Sequence, residues 1–262
     1  MSATPELAGQ GRVALVTGGA AGIGRATAGV LVENGWRVLI ADTDVEAGAA
    51  AAGELGEEAA FVAADVGDAA QAGAAVQAAL DRWSRLDLVL NNAGVVGRGA
   101  PVDRLDEAEL DRVIAANLKG PFHICKHAVD AMRKRGGGVI LNVASITAAR
   151  GSPDYAPYAA TKAGVVALTR SLARRVGRFN IRVNCLELGS VEGTGLMREE
   201  WRDLDAETQR QQKLSLARNI PLGRAAQPRD VAWLTLFLAS PLARHIHGAT
   251  VTLDGGESLG YL

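Results

Sequence analysis

The chain has 262 residues, 48% of them apolar, enough to bury a large core in one α/β domain. Its 28 basic and 29 acidic residues leave a net charge of -1, so no long-range field attracts nucleic acid or an anionic membrane. No apolar segment reaches the roughly 18 to 20 residues that cross a bilayer, residues 1–11 carry neither a basic start nor an apolar stretch, and Cys125 and Cys185 show no paired spacing; a reducing, cytoplasmic setting without a disulfide is expected.

In chain order, short apolar runs alternate with longer helix-period segments. Residues 13–16 read as a first strand, followed by Thr17-Gly18-Gly19-Ala20-Ala21-Gly22-Ile23-Gly24. Glycines in such a loop let the backbone approach a pyrophosphate, and the helix opening there offers unpaired N–H groups to its charge. Gly18, Ala21, Gly22, Ile23 and Gly24 are the candidate contacts. The second strand, residues 38–41, closes on Asp42, where a carboxylate accepts hydrogen bonds from an adenosine ribose. Thr43 and Glu46 have capping-box spacing, which leaves Asp42 free for that ligand. A 2'-phosphate would meet its charge with no basic offset from Ala21 or Thr43, so NAD is favoured over NADP.

The alanine- and glycine-rich stretch 46–80 reads as two helices flanking a third strand at 60–63. That strand leads to Asp65 and Val66, candidate adenine-side contacts, although Asp65 also suits a turn. A fourth strand at 88–90 leads to Asn91-Asn92-Ala93-Gly94, and a fifth at 139–141 runs on to Ser145. Further strands fall at 181–183 and 250–253. Between them the polar segment at about 190–220, with Met197, Trp201 and Leu204, suits either a lid over the site or a surface helix pair. Strands separated by helices need crossover connections, hence a doubly wound, seven-stranded parallel α/β sheet with helices on both faces, in one domain spanning 1–262. In such sheets ligands gather beyond the carboxyl ends of the strands, where these motifs converge.

Tyr158 and Lys162 share a helical face through their i, i+4 spacing. An unperturbed tyrosine titrates near pH ~10, and bringing it to about 7 or 8 requires roughly 3 to 4 kcal/mol of preference for the phenolate. One cation at about 4 Å in an effective dielectric of ~20 supplies roughly 4 kcal/mol. On this reasoning Lys162 lowers the Tyr158 pKa, aided by the charge of an oxidised nicotinamide, and the phenol carries a proton in either direction. Ser145, at a strand end, hydrogen-bonds the substrate oxygen and steadies alkoxide charge.

With these residues the chain resembles the short-chain dehydrogenase/reductase family from the first strand to Asp254-Gly255-Gly256, which is almost its whole length. The glycine loop 18–24, Asp65, the Asn91–Gly94 turn, Asn117, Ser145, Tyr158 and Lys162 stand in the order and spacing of that family. The resemblance implies a Rossmann fold. It implies that Asn117 holds a water relay to Lys162, that Lys162 also binds the nicotinamide ribose, and that Asn92, Ala93 and Gly94 line the cofactor groove. It further implies a homotetramer packed through long helices at 107–134 and 155–176, with Leu118, Phe122, Leu168 and Leu172 as core or interface residues. One stretch departs from the family: Leu188 stands for the usual proline and Gly193 for the usual threonine, which is expected to loosen the turn. Val191 is retained, and the resemblance implies that its backbone meets the carboxamide.

A metal site at His123, Cys125 and His127 is not favoured, because no third ligand is apparent. The acidic residues around the fourth strand read as helix starts, and Arg170, Arg174, Arg175 and Arg178 as a solvated face. The expected function is an NAD-dependent oxidoreductase that interconverts a secondary alcohol and a ketone, with no nucleic-acid or membrane partner. Val95, Val96, Ile146, Tyr155, Leu188, Met197 and Trp201 suggest an apolar pocket for a cyclic or hydrophobic substrate. Arg98 and Arg150 suit an anionic or carrier-tethered one, which makes a 3-oxoacyl reductase the alternative enzyme. A dinucleotide-binding sensor without turnover is the alternative of a different class.

Overall fold

The computed structural model describes residues 7–194, 201 and 204–260. Its strands are β1 (Val13–Thr17), β2 (Arg37–Asp42), β3 (Ala59–Ala63), β4 (Leu88–Asn91), β5 (Gly138–Ser145), β6 (Ile181–Leu188) and β7 (Thr250–Leu253). They form one parallel sheet in the order β3-β2-β1-β4-β5-β6-β7. The seven expected strands are present, but β5 and β6 run further, pairing in register from Gly138 with Ile181 to Ser145 with Leu188. Strand pairing thereby carries Ser145 and Leu188 side by side to the carboxyl edge.

The helices are α1 (Gly22–Glu33), α2 (Val45–Leu55), α3 (Ala69–Trp83), α4 (Glu107–Ile114), α5 (Gly120–Arg135), the short α6 (Thr147–Arg150), α7 (Ala156–Val176), α8 (Ala206–Arg218) and α9 (Pro228–Ala239). Strand alternation divides the core. Ala14 and Val16 of β1 pack with Leu31 of α1 and Leu236 of α9, whereas Val13 and Leu15 pack with Val76 of α3, Ile124 of α5 and Val176 of α7. Both faces of the sheet are thus covered, as a parallel sheet requires.

Two local expectations are corrected. The capping box at Thr43 does not form: α2 is capped by Asp44, whose carboxylate accepts the Ala47 N–H at 2.9 Å. The long helix expected over 107–134 is broken by a π turn at Ala115–Lys119. Such turns are uncommon and cluster at functional sites; here the turn carries the fully buried Asn117. The second long helix, α7, agrees with expectation to within a residue. Leu118 and Leu172 pack partly buried against the core, while Phe122 stays 55% exposed. In the polar segment, α8 carries no buried residue; Met197 lies outside the described residues. No helix among the described residues is long and apolar enough to cross a membrane.

Gly24 lets α1 sit directly on the glycine loop, because a β-carbon there would overlap the Gly18 carbonyl oxygen. Gly24→Ala is therefore expected to lower stability by about 1 to 3 kcal/mol. Gly53→Ala, where a β-carbon meets nothing within 4 Å, is expected to raise it by about 0.5 to 1 kcal/mol through helix propensity. Urea denaturation of the two variants measures both signs.

Candidate active site

A cavity of about 830 Å³ opens at the carboxyl edge of the sheet. Its position follows from topology: the strand order reverses between β1 and β4, so connections leaving these neighbours diverge. Gly18, Ala21, Gly22, Ile23, Asp42, Asp65, Val66, Asn92, Ala93, Gly94, Ser145, Tyr158, Lys162 and Val191 all line it. Gly24 does not; its place is in the packing just described.

The glycine loop is fixed from both sides. Asn92 Nδ2 donates to the carbonyls of Thr17 and Gly18, at 3.0 Å each. Thr17 Oγ1 accepts from Asn92 N and Ala93 N, both at 3.1 Å. Asp42 is less free than the capping argument held, since Oδ2 accepts from Ala20 N at 3.0 Å and Oδ1 from Asp44 N at 3.2 Å. It still faces the cavity, and it ties the second strand to the loop. Asp65 takes the turn role, accepting from Gly67 N at 2.8 Å, while also lining the cavity. The N-terminus of α1 has no side-chain cap and no acidic residue in its first turn. Its N–H groups and partial positive charge therefore face the cavity unneutralised.

At the other end, the Ser145 hydroxyl stands beside the Tyr158 phenol, whose pKa it lowers. Lys162 Nζ lies 5.5 Å from the centre of the Tyr158 ring and donates to Val143 O at 2.9 Å. The expected proximity is present, but its electrostatic consequence is corrected. Burial raises the Tyr158 pKa above its ordinary value of 10.0, against the lowering by the Ser145 hydroxyl. Burial also drives Lys162 from 10.5 down to about 8. The lysine is itself desolvated, so in the protein alone it does not bring the phenol toward neutrality.

Asn117 also makes contacts that the resemblance did not name. Its Nδ2 donates to Val95 O at 2.8 Å and Thr161 Oγ1 at 3.3 Å, while Oδ1 accepts from Val95 N at 2.8 Å. The amide thus imitates a strand partner for Val95 and holds the cavity wall. A β-carbon on Gly94 would come within 2.9 Å of Asn117 Oδ1 and 3.5 Å of Lys162 Nζ, so only glycine fits between them.

Val95, Val96, Ile146, Tyr155 and Leu188 line the cavity, and Trp201 does not: it is half-buried, its carbonyl accepting from Gln209 Nε2 at 3.1 Å. Arg98 is also absent from the lining, whereas Arg150 is present. Sequence reasoning missed Arg112, Thr147, Ser190 and Glu257. No local motif marks them, because they reach the cavity only through folding. Beyond Leu188, Gly189 N donates to Leu253 O at 3.1 Å and Ser190 N to Glu257 Oε2 at 2.8 Å. Among the described residues no His, Cys, Asp and Glu cluster suits a metal, and His123 Nδ1 instead lies 3.2 Å from Val66 O.

A protein-family model described as enoyl-(acyl carrier protein) reductase matches residues 18–258. Levodione reductase from Leifsonia aquatica is 36% identical over 255 residues, spanning 95% of both chains. A crystal structure of levodione reductase superposes with a TM-score of 0.89 at 34% identity, over 95% of this chain and 98% of that one. Sorbitol dehydrogenase from Cereibacter sphaeroides is 37% identical over 255 residues, 94% of this chain and 97% of the relative. The crystal structure of a 3-ketoacyl-(acyl-carrier-protein) reductase from Brucella melitensis complexed with NADH has a TM-score of 0.86 and 34% identity, covering 96% and 99% of the two chains. The chain belongs to the short-chain dehydrogenase/reductase family and is an oxidoreductase of alcohols and ketones.

A nicotinamide dinucleotide fits the residues present. The uncapped start of α1 suits a pyrophosphate, Gly22 at φ 52 takes the left-handed backbone that the turn into α1 requires, and Asp42 stands at the ribose position of such folds.

The Lys162 shift sets a pH dependence of stability. Its folded-state value lies below the unfolded one, so the cost of burying the ammonium is present in full below about pH 8 and is relieved as pH rises from about 8 to 10.5. Each tenfold change in proton affinity is worth about 1.4 kcal/mol. Relative to Lys162→Met, the native protein should gain roughly 3 kcal/mol across that window. Denaturant titrations of both proteins at stepped pH measure the difference, and a flat difference would contradict the lowered value.

Proposed function

We propose that the protein is an NAD-dependent dehydrogenase/reductase that interconverts a secondary alcohol and a ketone, with Tyr158 as proton carrier. The observation that carries the reading is the convergence of Ser145, Tyr158 and Lys162 on the cavity that Gly18, Gly22 and Asp42 also line. When bound, the nicotinamide supplies or accepts the hydride. Tyr158 gives its hydroxyl proton to the ketone oxygen in reduction and takes one from the alcohol in oxidation. Ser145 Oγ, which lines the cavity with Tyr158, holds the same oxygen and steadies its developing charge. Lys162 spends one ammonium hydrogen on Val143 and would give others to the nicotinamide ribose. Asn117 keeps Val95 in the wall facing the substrate.

The substrate is a compact cyclic or hydrophobic ketone or alcohol. Val95, Val96, Ile146 and Leu188 support this choice by lining the wall beside Ser145, as does the likeness to levodione reductase. Arg150 favours a second reading, a carrier-linked 3-oxoacyl substrate, because it lines the cavity and a guanidinium suits an anionic group. The assembly is a homotetramer, supported by the exposed Phe122 on α5 and testable by light scattering.

Tyr158→Phe is expected to keep NADH binding and lose turnover by roughly 10²- to 10⁴-fold; near-native kcat would remove the phenol from the mechanism. Asp42→Ala is expected to lower the preference for NADH over NADPH by about tenfold, since one repulsive charge is removed. The ratio of kcat/KM values for the two cofactors, with levodione-type cyclic ketones and 3-oxoacyl thioesters as substrates, tests cofactor and substrate class together.

A further inference from the structure

The turn after β6 is held by the end of the chain. Leu188 O accepts from Ile146 N at 2.9 Å, and Ser190 O accepts from Ala226 N at 3.0 Å. Between these points the only outside side chain gripping the turn, among the described residues, is Glu257, 67 residues further on. Its Oε2 accepts the Ser190 N–H at 2.8 Å and its Oε1 the Ser190 hydroxyl at 3.1 Å. Gly189 makes room for this approach, since a β-carbon there would lie 2.7 Å from Glu257 Oε2 and 2.6 Å from Asp254 Cβ.

Glu257 is anchored in turn. Its main-chain oxygen accepts from Arg150 Nη1 at 2.9 Å, and its N–H donates to Asp254 O at 3.1 Å. Arg150 ends α6, the helix that begins two residues after Ser145. A continuous bridge therefore runs from the Ser145 segment through Arg150 and Glu257 to Ser190, and all four residues line the cavity. No proline restricts φ at residues 188–191, and this bridge adds a side-chain link to the main-chain bonds made by Leu188, Gly189 and Ser190.

We propose that Glu257 is a positioning residue: through Arg150 and Ser190 it locks the turn carrying Val191 to the segment carrying Ser145, fixing the nicotinamide end of the cavity. The proposal rests on the dinucleotide reading above. It assigns Glu257 no contact with the reacting atoms, so its removal should act on cofactor affinity more than on the chemical step. A glutamine can keep both links, its carbonyl accepting the Ser190 N–H while its amide donates to Ser190 Oγ; an alanine can keep neither.

The test compares Glu257→Ala, Glu257→Gln and Ser190→Ala with the native protein by NADH fluorescence titration, steady-state kinetics and amide hydrogen exchange of the cofactor-free protein. Glu257→Ala should weaken NADH binding roughly tenfold, the loss expected for charge-assisted hydrogen bonds, with kcat within about threefold. Exchange at residues 189–191 should accelerate by a similar factor, Glu257→Gln should restore both readouts, and Ser190→Ala should give an intermediate loss. NADH affinity and exchange within twofold of native in Glu257→Ala would overturn the proposal, as would Glu257→Gln behaving like alanine. If Glu257→Ala does not fold, Ser190→Ala decides, and native behaviour in that variant counts against the bridge. If the native protein binds no dinucleotide, the functional reading fails, while the exchange comparison still judges whether Glu257 holds the turn.

Discussion

The reversal of strand order between β1 and β4 is the constraint on which the rest depends. Two neighbouring parallel strands whose crossovers leave toward opposite faces open a crevice that no connection fills. Thr17 and Asn92, at the ends of these two strands, tie the crevice together through hydrogen bonds of 3.0 to 3.1 Å. The glycine loop is therefore a stiff platform, and the uncapped N-terminus of α1 is aimed across it. Every other element of the site is measured from that edge: Asp42 and Asp65 on the β2 and β3 side, Ser145 and Leu188 on the β5 and β6 side.

The polar groups of the proposed reaction are buried at a cost. Lys162 sits 5% exposed with its ammonium on the Val143 carbonyl, and burial holds its pKa near about 8. Tyr158 is shifted the other way, above its ordinary value. The same desolvation thus drives the two values apart, disfavouring the ammonium and the phenolate alike, and it does not make the phenol acidic. A further positive charge placed beside the ring would act in that low-dielectric setting with more force than it has in water. The protein supplies orientation and a dry surrounding, and the final acidity depends on what the cavity holds.

Two side chains act as substitutes for regular backbone structure. Asn117, presented by a π turn, pairs with both main-chain groups of Val95 as a strand neighbour would. Glu257 does the corresponding work for Ser190, binding its N–H and its hydroxyl. Both act on loop segments that border the cavity.

The sequence by itself determined the sheet, because alternating apolar runs and crossovers of helical length admit few other arrangements, and it determined the glycine loop, Ser145 and the Tyr158–Lys162 pair, because these depend on spacing within one strand end or one helix. Tertiary structure decided what contacts between distant segments decide. Asp42 proved to serve Ala20 as well as the cavity, Asp44 rather than Thr43 capped α2, and the helix through Asn117 acquired a π turn. Trp201 fell outside the cavity lining, whereas Arg150 and Glu257, 107 residues apart in the chain, entered it together. The reason is one of range: hydrogen-bond spacing along an element is written in neighbouring residues, whereas burial and the pKa shifts it causes exist only once segments far apart in the chain have packed together.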